Sequence, residues 1–459
     1  MKLNTVSPID GSIVVERDYH TASETEIALA SARRAQLEWS RVPIAERAAV
    51  CERFVQALVG RRDELASELT SMMGRPIRYT PGEINGTADR ARAMIALASE
   101  ALADVVPPPI EGFRRFVRRS PLGVVLVIAP WNYPYLTSIN TVIPAIMAGN
   151  AVILKHSSQT PLVAERYAEA FAEAGLPQGV YQYLHVDNES TESLIRNPAI
   201  DFVAFTGSVG VGEIVERNAA GRFIGVGLEL GGKDPAYVRA DADLEHALDN
   251  IVDGVYFNSG QSCCGIERVY VHSDVFEQFI DGFARRAREY VLGDPRDAGT
   301  TLGPMIKPSA ADAVRAQISE AIVRGARSII DESLFPLSQP GTAYLAPQAL
   351  IDVDHSMSLM TIENFGPVTG IMKVSSDDDA VMLMNDSQYG LTASIWTRDE
   401  AAAIELGMRV ETGTCFMNRC DYLDPYLAWT GVKNSGRGVT LSRIGYEHLT
   451  RPKSFHLRR

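Results

Sequence analysis

From Gly123 onward the chain alternates short, unbroken apolar runs with longer stretches in which apolar residues recur every three or four positions. The runs are GVVLVIAP, AVILKHS, GVYQYLHV and IDFVAFTGS, and TPLVAERYAEAFAEAG is typical of what lies between them. Runs this apolar, spaced by amphipathic helices, predict a parallel sheet covered on both faces, a doubly wound dinucleotide-type unit. After LELGGKDPAYV a second series (VYVHS, DVFEQFIDGFARRAREYVLG, GPVTGIMKV, LTASIWTR) predicts another α/β unit. Before Pro107 the pattern is helical, as in TEIALASARRAQLEWS and RAAVCERFVQALVGRRDELASELTS, and these helices are expected to pack on the first sheet. No internal repeat or low-complexity tract interrupts the series.

Two segments depart from the alternation. PPPIEGFRRFVRRSP, residues 107–121, follows its prolines with alternating aromatic and basic residues, and the tail TRPKSFHLRR does something similar. Exposed strand edges invite pairing, which makes these pieces candidates for a sheet that bridges subunits. The alternative is a solvated hairpin and a frayed tail.

Composition narrows the function. A chain of 459 residues, 46% hydrophobic and 22% charged, can bury sizeable cores in two or three domains of a soluble globular protein. Its net charge of −13, without a long basic run, argues against capture of nucleic acid or anionic membrane and for small-molecule partners. The N-terminal MKLNTVSPIDGSIVVERDYH has no apolar h-region and no stretch is long enough to cross a bilayer, so the expected location is cytoplasmic. Five cysteines, an odd and sparse count, make no disulfide framework and leave free thiols.

Two of those thiols, Cys263 and Cys264, stand side by side in FNSGQSCCG. Adjacent side chains rarely converge on one ion and no Cys-x-x-Cys or nearby His completes a set, so no metal is expected. Free cysteine is commonly a small buried hydrophobe, but Gly260 and Gly265 permit the sharp turns and close ligand approach that a nucleophile needs and a packed strand does not. None of the eight histidines sits in a motif that would make a protease-like Cys/His pair.

A nucleophilic thiol requires an oxyanion stabiliser and a group to complete the reaction. APWNYP sets Asn132 just past the first apolar strand, where an open α/β sheet meets its ligands and an amide could donate to an oxyanion; taken alone, Asn there is turn chemistry. LELGGKDP sets Glu229 inside an apolar strand pattern, where burial would raise its pKa and tune it as a base; the alternative is an edge-strand Glu facing water.

In order, APWNYP, LKHSSQTP, FTGSVGVG, LELGGKDP, FNSGQSCCG, GDP with LGPM, ENFGP, NDSQYGLTASIW and a divergent GVKNSGRG resemble the aldehyde dehydrogenase superfamily over essentially the whole chain, in its NAD(P)-dependent hydrolytic branch. The resemblance implies an aldehyde dehydrogenase-like α/β fold: a Rossmann-type dinucleotide-binding domain at 1–106 and 121–231 with 432–446 packed on it, a catalytic domain at 232–431, and a small β oligomerisation sheet from 107–120 and 447–459. It implies a homodimer or homotetramer. Cys263 falls on the nucleophile, Glu229 on the general base, and Asn132 on the oxyanion holder together with the Cys263 backbone N–H; Cys264 has no assigned role.

The same resemblance implies cofactor and substrate contacts. GSVGVG spaces its glycines differently from the G-x-G-x-x-G fingerprint, yet Gly207, Ser208 and Gly212 stand at a helix start after a strand, where a pyrophosphate is stabilised. Lys155 and Glu363 match positions that contact the two ribose systems, Trp131 lies beside the cofactor, and Phe365 packs near the nicotinamide end. Ser158 stands where NAD-preferring members commonly place a glutamate, so NADP and NAD are both expected to serve. Tyr133, Leu136, Thr137, Asn140, Ser262, Arg419, Asp421, Leu423 and Trp429 are expected to line the entrance, which favours an aromatic or medium aliphatic aldehyde. Arg419 offers an alternative, pairing with the carboxylate of a succinic-semialdehyde-type substrate. The chain departs from the pattern at Ala428-Trp429-Thr430-Gly431-Val432-Lys433, where Pro-Phe-Gly-Gly-x-Lys is usual, and at Val439-Thr440, where Arg-Glu is common. Two further readings are a coenzyme A-acylating enzyme, whose members generally lack the glutamate, and a non-catalytic binding protein, which would have lost Cys263, Asn132 or Glu229.

Overall fold

The computed structural model describes residues 2–459. The four apolar runs after Gly123 become neighbouring strands of one sheet, in the order Gly436–Arg437, Gly225–Glu229, Phe202–Thr206, Val124–Ala129, Ala151–His156, Tyr181–Tyr183. All neighbours are parallel except the first pair, in which Gly436 faces Glu229. Alternation of side chains explains why these strands are apolar throughout. Val125, Val127, Val152 and Leu154 point into a core shared with helices Ile44–Gly60, Thr80–Ala101, Pro134–Ala148 and Leu162–Glu173. Val124, Leu126, Ile128 and Ile153 point the other way, against helices Ala22–Trp39 and Val209–Ala219.

A second sheet runs Arg327–Ser328, Gln348–Ile351, Val368–Val374, Ile266–His272, Asp234–Val238, Thr392–Trp396, Thr414–Met417, again parallel apart from its first pair. The amphipathic DVFEQFIDGFARRAREYVLG forms helix Phe276–Ala287, whose Phe276, Phe279, Ile280 and Phe283 enter the core of that sheet. The α/β class expected from the sequence is thus what the chain adopts.

Three local features differ from the sequence pattern. The helix-rich segment before Pro107 opens with an antiparallel hairpin, Lys2–Val6 with Ile13–Asp18. Its first strand alternates exposed and buried residues over only five positions, too few to stand out. The long pattern RAAVCERFVQALVGRRDELASELTS divides into helices Ile44–Gly60 and Arg62–Met73, because Arg61 leaves the helical region at φ −108° and ψ 15°. The tail is not frayed: Thr450–Arg458 pairs antiparallel with Phe113–Pro121 over nine residues, and Phe116 stacks on Phe455 at 4.6 Å.

The strands that matter for the site end together. Ala129, Thr206 and Glu229 are the C-terminal residues of adjacent strands, the edge at which open α/β sheets bind ligands.

Candidate active site

Cys263 is presented by a turn that only particular residues allow. After helix Leu244–Tyr256 the backbone of Asn258, Ser259 and Gly260 takes φ of +53°, +56° and +69°, reversing the chain within three residues. A Cβ on Gly260 would lie 2.1 Å from the carbonyl oxygen of Gly366, so no side chain fits there. Asn258 Nδ2 donates to the carbonyls of Asn132 and Gln261, each at 3.2 Å, and ties the cysteine loop to the APWNYP turn. Asn132 Nδ2 in turn donates to the Gln261 carbonyl at 3.2 Å. The amide is therefore buried beside the backbone that leads into Cys263.

A buried ion pair braces this corner. Arg75 bonds Glu83 and the Asn132 carbonyl through its Nη groups and Asn258 Oδ1 through Nε at 3.0 Å. Glu83 also accepts the backbone N–H of Tyr135 at 2.9 Å, at the start of helix Pro134–Ala148. One pair thus links the N-terminal helices, the Asn132 turn and the cysteine loop. Removing either member would strand a buried charge, which costs several kcal/mol.

These elements surround a cavity of about 390 Å³. Of the residues expected from the sequence, Cys263, Glu229, Tyr133, Leu136, Thr137, Asn140, Ser262, Asp421, Leu423 and Trp429 line it. Asn132 and Arg419 do not: Asn132 is buried against the cysteine loop, and Arg419 is exposed with its guanidinium 3.3 Å from the centre of the Tyr422 ring. The stack explains the displacement, since a guanidinium on an aromatic face at the surface keeps both its hydration and its cation–π contact.

Glu229 ends its strand with both carboxylate oxygens engaged, Oε1 by the Thr440 hydroxyl at 2.5 Å and Oε2 by the Thr206 hydroxyl at 3.1 Å. Burial raises its pKa, and the two hydroxyls and the Arg90 charge oppose the rise. Thr440, one of the departures from the usual Arg-Glu, is thus a direct partner of the carboxylate. Cys264 points away from bulk solvent and donates to Asp421 Oδ1 at 2.9 Å. Its hydrogen bond with Cys263 and then its burial push its pKa up, whereas burial holds the Asp421 carboxyl up at about 6.

Arg75, Glu83 and Arg90 were absent from the sequence reading. Helix Thr80–Ala101 buries Thr80, Glu83, Ile84, Thr87, Ala88 and Ala91, so Glu83 lies on the apolar stripe, and Arg90, seven residues on, lies beside it. Charges on a stripe of period 3.6 were the available signal. Arg90 donates through Nη1 to the Leu136 carbonyl at 2.9 Å and to Asn140 Oδ1 at 3.3 Å. Among the described residues its Nε and Nη2 have no partner and no carboxylate pairs with it, although it lines the cavity.

Toward the other side, strand Phe202–Thr206 runs through Gly207 into helix Val209–Ala219, with Ser208 at its N-cap making no side-chain cap bond. Gly212 lets this helix sit close to the sheet, since a Cβ there would meet Leu230 at 2.6 Å. The free N-terminal N–H groups, the open space at Gly210 and the unpaired Lys155, whose pKa burial lowers, fit a phosphorylated dinucleotide. Ser158 is exposed with a free hydroxyl and is not a helix cap, because the N-cap of helix Leu162–Glu173 is Pro161. Trp131 and Phe365 meet edge to face at 5.7 Å. Glu363 accepts the Gly232 N–H at 3.0 Å, and burial pushes its pKa up to about 7. Among the described residues no group of three or more His, Cys, Asp or Glu could hold a metal ion, and no helix is long and apolar enough to cross a membrane.

A thiol, a carboxylate and an amide thus come together near the C-terminal edge of a dinucleotide-type sheet, where open α/β sheets bind their ligands. The sequence profile of the aldehyde dehydrogenase family matches residues 1–455, and the chain belongs to that family. It is 33% identical over 441 residues to a succinate semialdehyde dehydrogenase [NAD(P)+] of Escherichia coli (strain K12), covering 96% of this chain and 95% of the relative. It is 32% identical over 457 residues to a succinate-semialdehyde dehydrogenase [NADP(+)] of Mycobacterium avium (strain 104), covering 99% and 96%. The solved succinic semialdehyde dehydrogenase of Streptococcus pyogenes in complex with NADP+ superposes with a TM-score of 0.94 at 27% identity, covering all of both chains.

Proposed function

We propose that this enzyme oxidises a carboxylate-bearing aldehyde, a semialdehyde, to the diacid with NADP or NAD. The observation that carries the substrate class is Arg90, a guanidinium in the cavity wall without an anionic partner. Arg90 is half-buried, and the nearby Glu229 and Glu83 carboxylates make no ion pair with it, so a substrate carboxylate would be its first direct anionic partner. The names of the relatives point the same way. The sequence favoured an aromatic or medium aliphatic aldehyde on the strength of the apolar walls, and offered Arg419 as the carboxylate partner of the alternative. The alternative is now the better supported reading, with Arg90 in the place of Arg419.

In this reading Cys263 Sγ adds to the aldehyde carbon, and the carbonyl oxygen takes the negative charge beside Asn132 Nδ2 and the Cys263 N–H. Trp131 and Phe365, with the Ser208 helix start at the pyrophosphate, would hold the dinucleotide, which would supply the acceptor for the hydride that leaves the aldehyde carbon. Cys263 is left as a thioester. Glu229 takes a proton from water, the hydroxide oxygen adds to the thioester carbon, and the C–S bond breaks with its electron pair returning to Sγ. The paired strands Phe113–Pro121 and Thr450–Arg458 leave an edge on which a second copy could dock.

A kcat/KM panel across succinic semialdehyde, hexanal and benzaldehyde tests the substrate. Semialdehyde is expected to lead, and Arg90→Gln should lower its kcat/KM by about 30- to 100-fold, the effect of about 2–3 kcal/mol for a buried charge pair, with little change for hexanal. A wild type that prefers hexanal or benzaldehyde overturns the reading.

Cofactor choice turns on Ser158. A carboxylate at that position would repel a 2′-phosphate, whereas the free hydroxyl can donate to it, so both cofactors should serve, with NADP used at least as well as NAD. Ser158→Glu is expected to shift preference toward NAD by about 1–3 kcal/mol, read as the ratio of kcat/KM values for the two cofactors. Strict use of NAD by the wild type would contradict it.

A further inference from the structure

Three segments of the site meet a second time, away from the cavity. Lys233 stands four residues on from Glu229, Glu267 four on from Cys263, and the turn Glu363–Phe365 holds two of the residues expected at the cofactor. The strands they adjoin, Asp234–Val238, Ile266–His272 and Val368–Val374, are neighbours in the second sheet. Lys233 and Glu267 are 1% and 4% exposed, and Lys233 Nζ donates to Glu267 Oε2 at 2.7 Å. Burying two charges can cost more than their attraction returns unless the remaining lone pairs are satisfied. Here both carboxylate oxygens are engaged further: Oε2 also accepts the backbone N–H of Asn364 at 2.8 Å, and Oε1 accepts that of Phe365 at 2.9 Å.

The backbone is bent at two places to make this contact. Strand Ile266–His272 pairs with Asp234–Val238 in a register that skips Glu267, since Ile266 faces Asp234 and Arg268 faces Pro235. Such a bulge re-aims the side chain of the extra residue. On the other segment Phe365 takes φ +49°, a conformation that bulky residues rarely adopt, and its N–H lies beside that of Asn364 on one carboxylate. Consecutive N–H groups turned to one side make a concavity that binds an anion, and here the anion is a side chain of the protein itself. The turn so held sets the Phe365 ring edge to face against Trp131 at 5.7 Å and seats Glu363 on the Gly232 N–H at 3.0 Å. Glu363 lies directly against Gly231, where a Cβ would overlap its carboxylate.

We propose that Glu267 is a positioning residue for the nicotinamide end of the cofactor: its carboxylate, neutralised by Lys233, is a built-in anion that holds Glu363 and Phe365 in the places from which they meet the dinucleotide. The inference rests on the reading of those two residues as cofactor contacts. Glu267 is occupied by Lys233 and by the turn, and it acts only through Glu363 and Phe365. A left-handed turn that is not held visits other conformations, and only the fraction of enzyme in the competent one can react. Because Lys233 and Glu267 follow Glu229 and Cys263 closely in sequence, the same pair ties the cofactor turn to the segments that carry the base and the nucleophile.

The test separates positioning from charge balance. Glu267→Gln leaves Lys233 without its counter-charge and should lower the melting temperature, whereas the double variant Lys233→Met with Glu267→Gln buries no charge and should melt close to wild type. In both variants an amide offers one oxygen where the turn presents two N–H groups. Two readouts follow. In the cofactor-free enzyme, amide hydrogen exchange of the peptide containing Asn364 and Phe365 should be about tenfold faster in the double variant. On mixing with NADP and the aldehyde that the wild type prefers, the burst of reduced cofactor should be about tenfold slower, as for a turn competent about one tenth of the time. Wild-type exchange in the double variant would show that the pair only balances charge and would overturn the assignment, as would a wild-type burst beside faster exchange. If the double variant does not fold, Glu267→Gln is read by the same two measurements; failure of both to fold would make the pair a folding element and overturn the assignment as well. Glu363→Gln and Phe365→Ala distinguish this inference from the reading on which it rests. A wild-type burst in both removes these residues from the cofactor and the inference with them, whereas a slow burst in either, with a wild-type burst in the Glu267 variants, removes only the positioning role.

Discussion

Cys263→Ala should lower aldehyde oxidation by about 10⁴-fold or more, because the covalent step has no substitute once its sulfur is gone. The same variant should keep its thermal stabilisation by NADP, since the helix start at Ser208 and the Lys155 side chain lie on another part of the sheet. Cys264→Ala, one residue along, should change kcat by no more than about threefold. The asymmetry follows from what each thiol touches. Cys264 is buried, donates to Asp421 at 2.9 Å and has its pKa pushed up, all of which keep its proton on sulfur. A protonated thiol is a poor nucleophile. Cys263 and Glu229 both line the cavity. Comparable losses from the two substitutions would show that the pair acts as a unit and would remove Cys263 from its role.

Glu229→Gln should still give a burst of reduced cofactor on mixing with aldehyde and then turn over about 10³-fold more slowly than wild type. The amide keeps the shape and can still meet Thr206 and Thr440, but it cannot accept a proton from water. Burial raises the pKa of Glu229 above the ordinary glutamate range, and only its ionised form is a base. Steady-state turnover in the wild type should therefore climb as pH rises through that elevated pKa, and the acidic limb should disappear in Glu229→Gln. Loss of the burst together with the steady-state rate would assign Glu229 to an earlier step.

The amino-acid sequence determined the parts of this protein that depend on local chemistry. Unbroken apolar strands spaced by amphipathic helices forced parallel sheets with both faces covered, because such strands cannot face water on either side. The glycine and asparagine of FNSGQSCCG announced a turn beside the thiol, and Glu229 stood out because a carboxylate at the end of an apolar strand is costly without a purpose. The tertiary structure decided what local pattern cannot carry. Arg75 and Glu83 are eight residues apart in sequence, yet their value lies in reaching Asn132 and Asn258 in two other segments. The sequence pointed to Arg419 at the cavity and did not single out Arg90. Arg419 lies exposed on Tyr422, whereas Arg90 lines the cavity in no ion pair, placed there by the packing of helix Thr80–Ala101 against helix Pro134–Ala148. Periodicity reports which face of an element is buried; which distant groups share that burial is settled by tertiary packing alone.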